Sequence, residues 1–130
     1  GAILVEKIAN NNLRVTMTAQ TAFDVDSAAI KGGFHSSMDK IAEIINKYGK
    51  TTLDVVGHTD NTGSDQHNQA LSERRAQAVA QYFLTKNIHQ ERLRIEGAGE
   101  SQPRASNATE QGRTQNRRVE IVIEPVVEQS

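Results

Sequence analysis

The stretch GHTDNTGSDQHNQALSERRAQAV, Gly57 to Val79, concentrates the side chains able to do chemistry. His58, Asp60, Asp65 and His67 could hold a metal. Ser64 or Ser72, beside a histidine and an aspartate, could act as a nucleophile. Asp60 with Arg75 could grip a molecule that carries both charges. Spacing separates these readings. Neither histidine pair has the i, i+4 spacing that lets two imidazoles on one helical turn meet a zinc ion, and no third histidine lies nearby. A calcium loop fails because Gly63 comes too early and its bidentate glutamate is absent. Neither serine sits in a G-x-S-x-G elbow, and no pattern of oxyanion donors accompanies them. Gly57 and Gly63 precede a helix pattern without the spacing of a phosphate cradle. The expectation is a binding module and not an enzyme, with no cofactor and no metal.

The helix following this loop carries the sharper signal. With Leu71 as origin and about 100° per residue, Ala78, Val79, Tyr82 and Phe83 form one core-facing stripe. Arg75 falls in the middle of that stripe and Arg74 at its edge. A guanidinium aimed into an apolar interface does not shed its proton, so it requires a fixed anionic or carbonyl partner. A structural carboxylate would satisfy it, and so would a ligand. Asp60 lies just past the strand pattern TTLDVVGH. The loop after it rises at most about 20 Å, and the helix descends about 12 Å from near His67 to Arg75. The two charges can therefore stand near one level on the rim of the sheet. Held slightly apart, they would receive a zwitterion, carboxylate to ammonium and guanidinium fork to carboxylate. Around them, His58 reads as a strand-end residue hydrogen-bonding the loop, His67 as a solvated first-turn residue, and Asp65 as the helix N-cap. Arg117 and Arg118 open a strand on opposite faces, so at most one joins a given pocket.

The 130 residues allow one domain with its own core. A net charge of −1, 4 % aromatic residues and no tryptophan argue against nucleic acid as a partner. There is no cysteine for disulfides, thiolate chemistry or metal binding. No apolar run reaches the roughly 18 residues that cross a bilayer. The opening GAILVEKIA lacks a signal-peptide layout, so contact with a membrane is expected only through a segment outside this sequence.

Period-two alternation marks a strand from Leu13 to Gln20. Asp24, Asp26 and Ser27 supply turn chemistry. Phe34, Met38, Ile41, Ile45 and Tyr48 trace one helical face, with Gly49 as its expected C-cap. The second helix runs to about Lys86, near Asn87. RLRIEGAG reads as a strand with Leu93 and Ile95 inward. A polar loop, Glu100 to Asn116, with room for one helical turn, leads to a last strand with Val119, Ile121 and Ile123 on one face. The order βαβαββ predicts an α/β (α+β) two-layer sandwich, a mixed four-stranded sheet with helices packed on one face. Residues 1–12 read as an N-terminal extension, 13–124 as the domain and 125–130 as a C-terminal tail.

At GHTDNTGSDQHNQALSERRAQAVAQYF, RIEGAGESQP and GRTQNRRVEIVI the chain resembles the OmpA-like peptidoglycan-binding domain, and with FDVDSAAI the likeness spans about residues 13–124. The resemblance implies the same βαβαββ sandwich. It also implies non-covalent binding of the cell-wall stem peptide in the Gram-negative periplasm, anchoring an outer-membrane protein or lipoprotein to the wall. The ligand group would be meso-diaminopimelate, whose side-chain end is a zwitterion. Carried over by position, Asp60 takes its ammonium and Arg75 its carboxylate. Thr62 and Asn68 line the pocket, Arg117 adds a ligand-side arginine, and Asp24 stands on the opposite wall, partly through backbone groups. Leu71, Ser72 and Val79 match packing positions. FDVDSAAIKGGFHSSMDK departs from the family where others often carry Leu-Pro-Glu. The same module in a flagellar stator or signalling protein, or a periplasmic wall hydrolase using Ser72, are the competing readings.

Overall fold

The structure, a computed structural model, describes residues 3–126. Five strands form one mixed sheet: β1 (Ile3–Lys7), β2 (Leu13–Thr18), β3 (Thr51–His58), β4 (Leu93–Gly99) and β5 (Arg118–Pro125), in the order β1-β2-β5-β3-β4. Only β3 and β4 run parallel; β5 is antiparallel to both β2 and β3. The helices occupy the connections: α1 (Ala19–Ala22), α2 (His35–Lys47), α3 (Asp65–Leu84) and α4 (Glu110–Asn116). The two-layer α+β sandwich is as expected, with one strand more than the four foreseen. That strand, β1, comes from the segment read as an extension and pairs with β2 from Ile3↔Met17 to Lys7↔Leu13. Of the expected tail, Pro125 closes β5 and Val126 donates its N–H to the Lys50 carbonyl at 2.9 Å. Residues 127–130 lie outside those described.

The core follows the alternation of the strands. Val15 and Met17 of β2, Leu53 and Val55 of β3, and Val119, Ile121 and Ile123 of β5 face the helices. Met38, Ile41, Ala42 and Ile45 of α2 and Ala76, Val79 and Phe83 of α3 close over them. Two expected members fall outside. Ile95 is 46 % exposed because β4 is an edge strand, and Tyr48 is 54 % exposed because α2 ends one residue before it. Gly49 keeps an ordinary φ and Tyr48 is the C-cap, so that helix ends without a left-handed residue. Past α3, Asn87 does adopt the left-handed conformation, at φ 67°.

Two glycines set how deep α3 sits. A Cβ on Gly57 would lie 2.1 Å from the Ser72 carbonyl oxygen, and one on Gly97 would lie 2.3 Å from Cγ of Glu73. Backbone-to-backbone packing of this kind admits no side chain. It draws the N-terminal half of α3 onto the ends of β3 and β4, beside Asp60. Ser64, not Asp65, is the N-cap of α3, with its hydroxyl accepting the His67 N–H at 3.1 Å; Asp65 is the first helical residue.

Candidate functional site

A cavity of about 560 Å³ opens at the end of the sheet where β3 stops. Asp60, Arg75, Thr62, Asn68, Arg117 and Asp24, the six candidate ligand residues, all line it. The volume lies within the range of small-ligand sites.

Asp60 is set by the loop's own backbone. Its Oδ1 accepts the Thr62 N–H at 2.8 Å, while its carbonyl accepts from the Thr59 hydroxyl at 2.8 Å and from Asn68 Nδ2 at 3.3 Å. Asn68, in the second turn of α3, also donates to the Thr62 carbonyl at 3.0 Å, so it ties the loop to the helix. The other carboxylate oxygen of Asp60 meets Arg117 Nη1 at 2.5 Å. Asp60 is only 5 % exposed. Burial alone would raise its pKa, but the Thr62 N–H and the Arg117 guanidinium outweigh that and hold it below the usual carboxylate range. It is therefore an anion at neutral pH.

Arg75 is 5 % exposed, as its place on the apolar stripe requires. Its partners are carbonyls: Nε donates to Ser27 O at 2.8 Å and Nη2 to Asp24 O at 3.2 Å. The guanidinium lies over the Phe23 ring, 5.0 Å from its centre. Burial lowers its pKa from the usual arginine value, and the nearby Asp26 opposes that. No carboxylate forms an ion pair with it among the described residues. Asp60 and Arg75 share the cavity, but the expected direct opposition is modified: Asp60 pairs with Arg117, and Arg75 is held by the 24–27 loop.

The loop that supplies those carbonyls is a built turn. Asp26 adopts φ 56°, the Ser27 hydroxyl accepts the Ala29 N–H at 3.0 Å, and Phe23 bridges to Ile30. Asp24 contributes its carbonyl to Arg75, while its side chain is exposed and 3.9 Å from Lys31 Nζ. His67 Nε2 lies 3.3 Å from Asp26 Oδ1, linking the first turn of α3 to this wall.

Arg117 and Arg118 diverge as alternation demands. Arg117 reaches the cavity, with Nη2 donating to Glu110 Oε1 at 2.6 Å and to the Thr114 hydroxyl at 3.1 Å. Arg118 turns to the other face of the sheet. Glu110 is thus a site residue that the sequence reading missed. It lies in the segment read as a polar loop, where α4 forms instead, and Arg117 follows that helix as its extended C-cap. His67, Lys31 and Gln20 also line the cavity without having been foreseen there.

Two readings are corrected at this site. His58, expected to hydrogen-bond the loop, is 2 % exposed with both ring nitrogens lacking a hydrogen-bond partner among the described residues. It lies 3.6 Å from the Glu120 carboxylate, on the face away from the cavity. Ser72 is 1 % exposed, and its hydroxyl donates to Gln69 O at 2.8 Å and accepts the Gly99 N–H at 3.0 Å. A side chain so enclosed and engaged is not available as a nucleophile. Among the described residues, no cluster of metal-ligating side chains occurs and no helix is long and apolar enough to cross a membrane.

The profile of the OmpA family matches residues 22–117. The probable lipoprotein YiaD of Escherichia coli (strain K12) is 37 % identical over 116 residues, which are 89 % of this chain and 53 % of that protein. The peptidoglycan-binding protein ArfA of Mycobacterium tuberculosis (strain ATCC 25618 / H37Rv) is 36 % identical over 102 residues, 78 % of this chain and 31 % of that protein. Among solved structures, the cell wall anchor of the T6SS from Pseudomonas aeruginosa superposes with a TM-score of 0.87 at 31 % identity, covering 96 % of this chain and 89 % of that one. The chain thus spans about half the length of YiaD and a third of ArfA.

Proposed function

The chain belongs to the OmpA family, and from that premise we propose that it binds peptidoglycan non-covalently. The stem peptide would enter the Asp60–Arg75 cavity through the side-chain end of its meso-diaminopimelate. The observation that carries this reading is Arg75: a guanidinium buried to 5 % exposure, held by two backbone carbonyls, in no ion pair with a carboxylate among the described residues, and sharing its cavity with an ionised Asp60. A permanent cation placed there attracts an anion from solution, and the ligand's carboxylate supplies one. The ligand's ammonium then goes to Asp60, which keeps acceptor capacity beside its bonds to Thr62 and Arg117. Thr62 and Asn68 fix the Asp60 loop, Arg117 sets the orientation of the carboxylate, and Asp24 presents the carbonyl that aims Arg75.

The names of ArfA, a peptidoglycan-binding protein, and of the T6SS cell wall anchor support a wall-anchoring role; a periplasmic place at the outer membrane is part of the same proposal. The direct test is calorimetric titration with a muropeptide containing meso-diaminopimelate, set against one with lysine at that position. Lysine keeps the ammonium and lacks the side-chain carboxylate, so it should bind more weakly. Equal affinities would remove Arg75 from the role given to it. Incubation with purified sacculi should release no soluble fragments; release abolished by Ser72→Ala would favour a hydrolase.

A further inference from the structure

Arg75 can meet a ligand's carboxylate only while the chain's own carboxylates stay off it. Two of these belong to the loop that holds it. Asp24 and Ser27 give Arg75 their carbonyls at 3.2 and 2.8 Å, so the segment 24–27 lies against the guanidinium. Asp26 stands between those two residues in the chain, and its side chain is within a short swing of the cation. Burial lowers the Arg75 pKa, and the charge of Asp26 is close enough to oppose that. Yet neither aspartate forms an ion pair with Arg75 among the described residues. Each is answered from another place. Asp24 Oδ1 faces Lys31 Nζ at 3.9 Å, and that ammonium also donates to the Gln20 carbonyl at 3.0 Å. Asp26 Oδ1 meets Nε2 of His67, in the first turn of α3, at 3.3 Å. Asp24 thus has a full countercharge, whereas His67 is all that the Asp26 carboxylate bonds among the described residues.

We propose that His67 is a positioning residue for the ligand: by tying the Asp26 carboxylate to the rim of the cavity, it keeps Arg75 open to the carboxylate of the guest. The inference rests on the muropeptide reading above. The Asp26 side chain is 70 % exposed and Arg75 only 5 %, so the tie holds the acid at the surface and away from the buried cation. Without it, Asp26 closes onto Arg75 and competes with the ligand. The competition is strong because a carboxylate on a guanidinium makes charge-assisted hydrogen bonds, and Arg75 is already out of water. The tie does not need a charged imidazole, since a neutral ring protonated at Nε2 donates as well. His67 thereby acts through Asp26 without touching the ligand.

The test measures affinity for a muropeptide containing meso-diaminopimelate, by calorimetry, in the whole chain and in His67→Ala, Asp26→Asn and the double variant. Both side chains are more than half exposed, so the fold should persist in all three. His67→Ala is expected to bind about tenfold more weakly, the loss that follows if Asp26 covers Arg75 in about nine molecules of ten. Asp26→Asn alone should tighten binding modestly, because a carboxylate that repels the ligand's own is gone. Asparagine also tolerates the left-handed backbone at this position, φ 56°. The double variant should return to the affinity of Asp26→Asn, a rescue that a merely structural role of His67 does not produce. A ligand-free crystal structure of His67→Ala should show Asp26 paired with Arg75 within about 4 Å. A loss that Asp26→Asn does not rescue overturns the proposal, because His67 then touches the ligand itself. Unchanged affinity in His67→Ala, or a structure of it with Asp26 still apart from Arg75, does so too. If the unaltered chain gives no heat with muropeptide, the binding reading itself fails. The ligand-free structure then still decides whether His67 restrains Asp26.

Discussion

Arg75 and Arg118 are buried to nearly the same degree, 5 % and 3 % exposed, on opposite faces of one sheet. Their surroundings differ in one respect. Arg118 has a carboxylate of its own: Nε meets Glu120 Oε2 at 2.7 Å, and Nη1 and Nη2 donate to the carbonyls of Asn116 and Gln102 at 3.0 and 2.9 Å. Asn116, fully buried, fastens the covering loop by accepting the N–H groups of Arg104 and Ala105. Arg75 has carbonyls, an aromatic face and Asp26 only at a distance, with no ion pair to a carboxylate among the described residues. A buried arginine whose charge is matched within the chain holds the fold together. One without such an ion pair, beside a cavity, is the group on which the proposed binding rests.

The largest effect should come from breaking the matched pair. Glu120→Ala strands Arg118 without its counterion, and removal of one partner of a buried pair costs about 3–5 kcal/mol, measurable by urea unfolding. Muropeptide affinity of whatever fraction remains folded should hold. In the intact protein the pair also gives an acid limb. Burial alone would raise the pKa of Glu120, but the His58 and Arg118 contacts bring it down from 4.5 to about 2. A depressed carboxylate contributes stability that is full above its unfolded pKa and is lost as pH falls through the folded one. The loss should therefore run from about pH 4.5 down to about 2 and be absent in Glu120→Gln.

Arg75→Ala should do the reverse, with roughly 10- to 100-fold weaker muropeptide binding, as expected for losing charge-assisted hydrogen bonds worth about 1.5–3 kcal/mol. Its thermal midpoint should change far less than that of Glu120→Ala. If Arg75→Ala unfolds the domain instead, the contrast between the two arginines collapses.

Two smaller effects sharpen it. The carboxyl of Asp54, on the same face as Arg118, is pushed up to about 6 by burial and by the neighbouring Glu96. An ionised group under such strain opposes folding, so Asp54→Asn should raise the thermal midpoint by a few degrees at pH 7. That advantage should shrink as pH falls from about 6 toward 3.8 and vanish below it, where Asp54 is protonated in the folded and unfolded states alike. Glu110→Gln should weaken muropeptide binding by only a few-fold, because Arg117 keeps Asp60 and Thr114. A loss as large as that of Arg75→Ala would mean that Glu110 touches the ligand itself.

Much of the site was legible because it follows short-range rules. The helical period put Arg75 on the buried stripe, and strand alternation sent Arg117 and Arg118 to opposite faces. What was missed depended on edges and ends. Ile95 fits the alternating pattern of an inward residue, yet β4 has no strand beyond it and α3 leaves it uncovered. Ile3–Lys7 is too short to declare itself a strand, and its partner β2 makes it one. Ser64 and Asp65 are both good caps, so one residue of register decided between them.

By itself, the sequence determined the periods, the turns, the burial of Arg75 and the place of Asp60 at the end of a strand, since these depend on residues within a few turns of each other. Only the tertiary structure decided which charges meet. Asp60 lies 57 positions from Arg117, and Arg75 lies 48 and 51 from the carbonyls of Ser27 and Asp24. Whether a buried cation is satisfied depends on distances of about 3 Å between such remote groups, and no local preference fixes those.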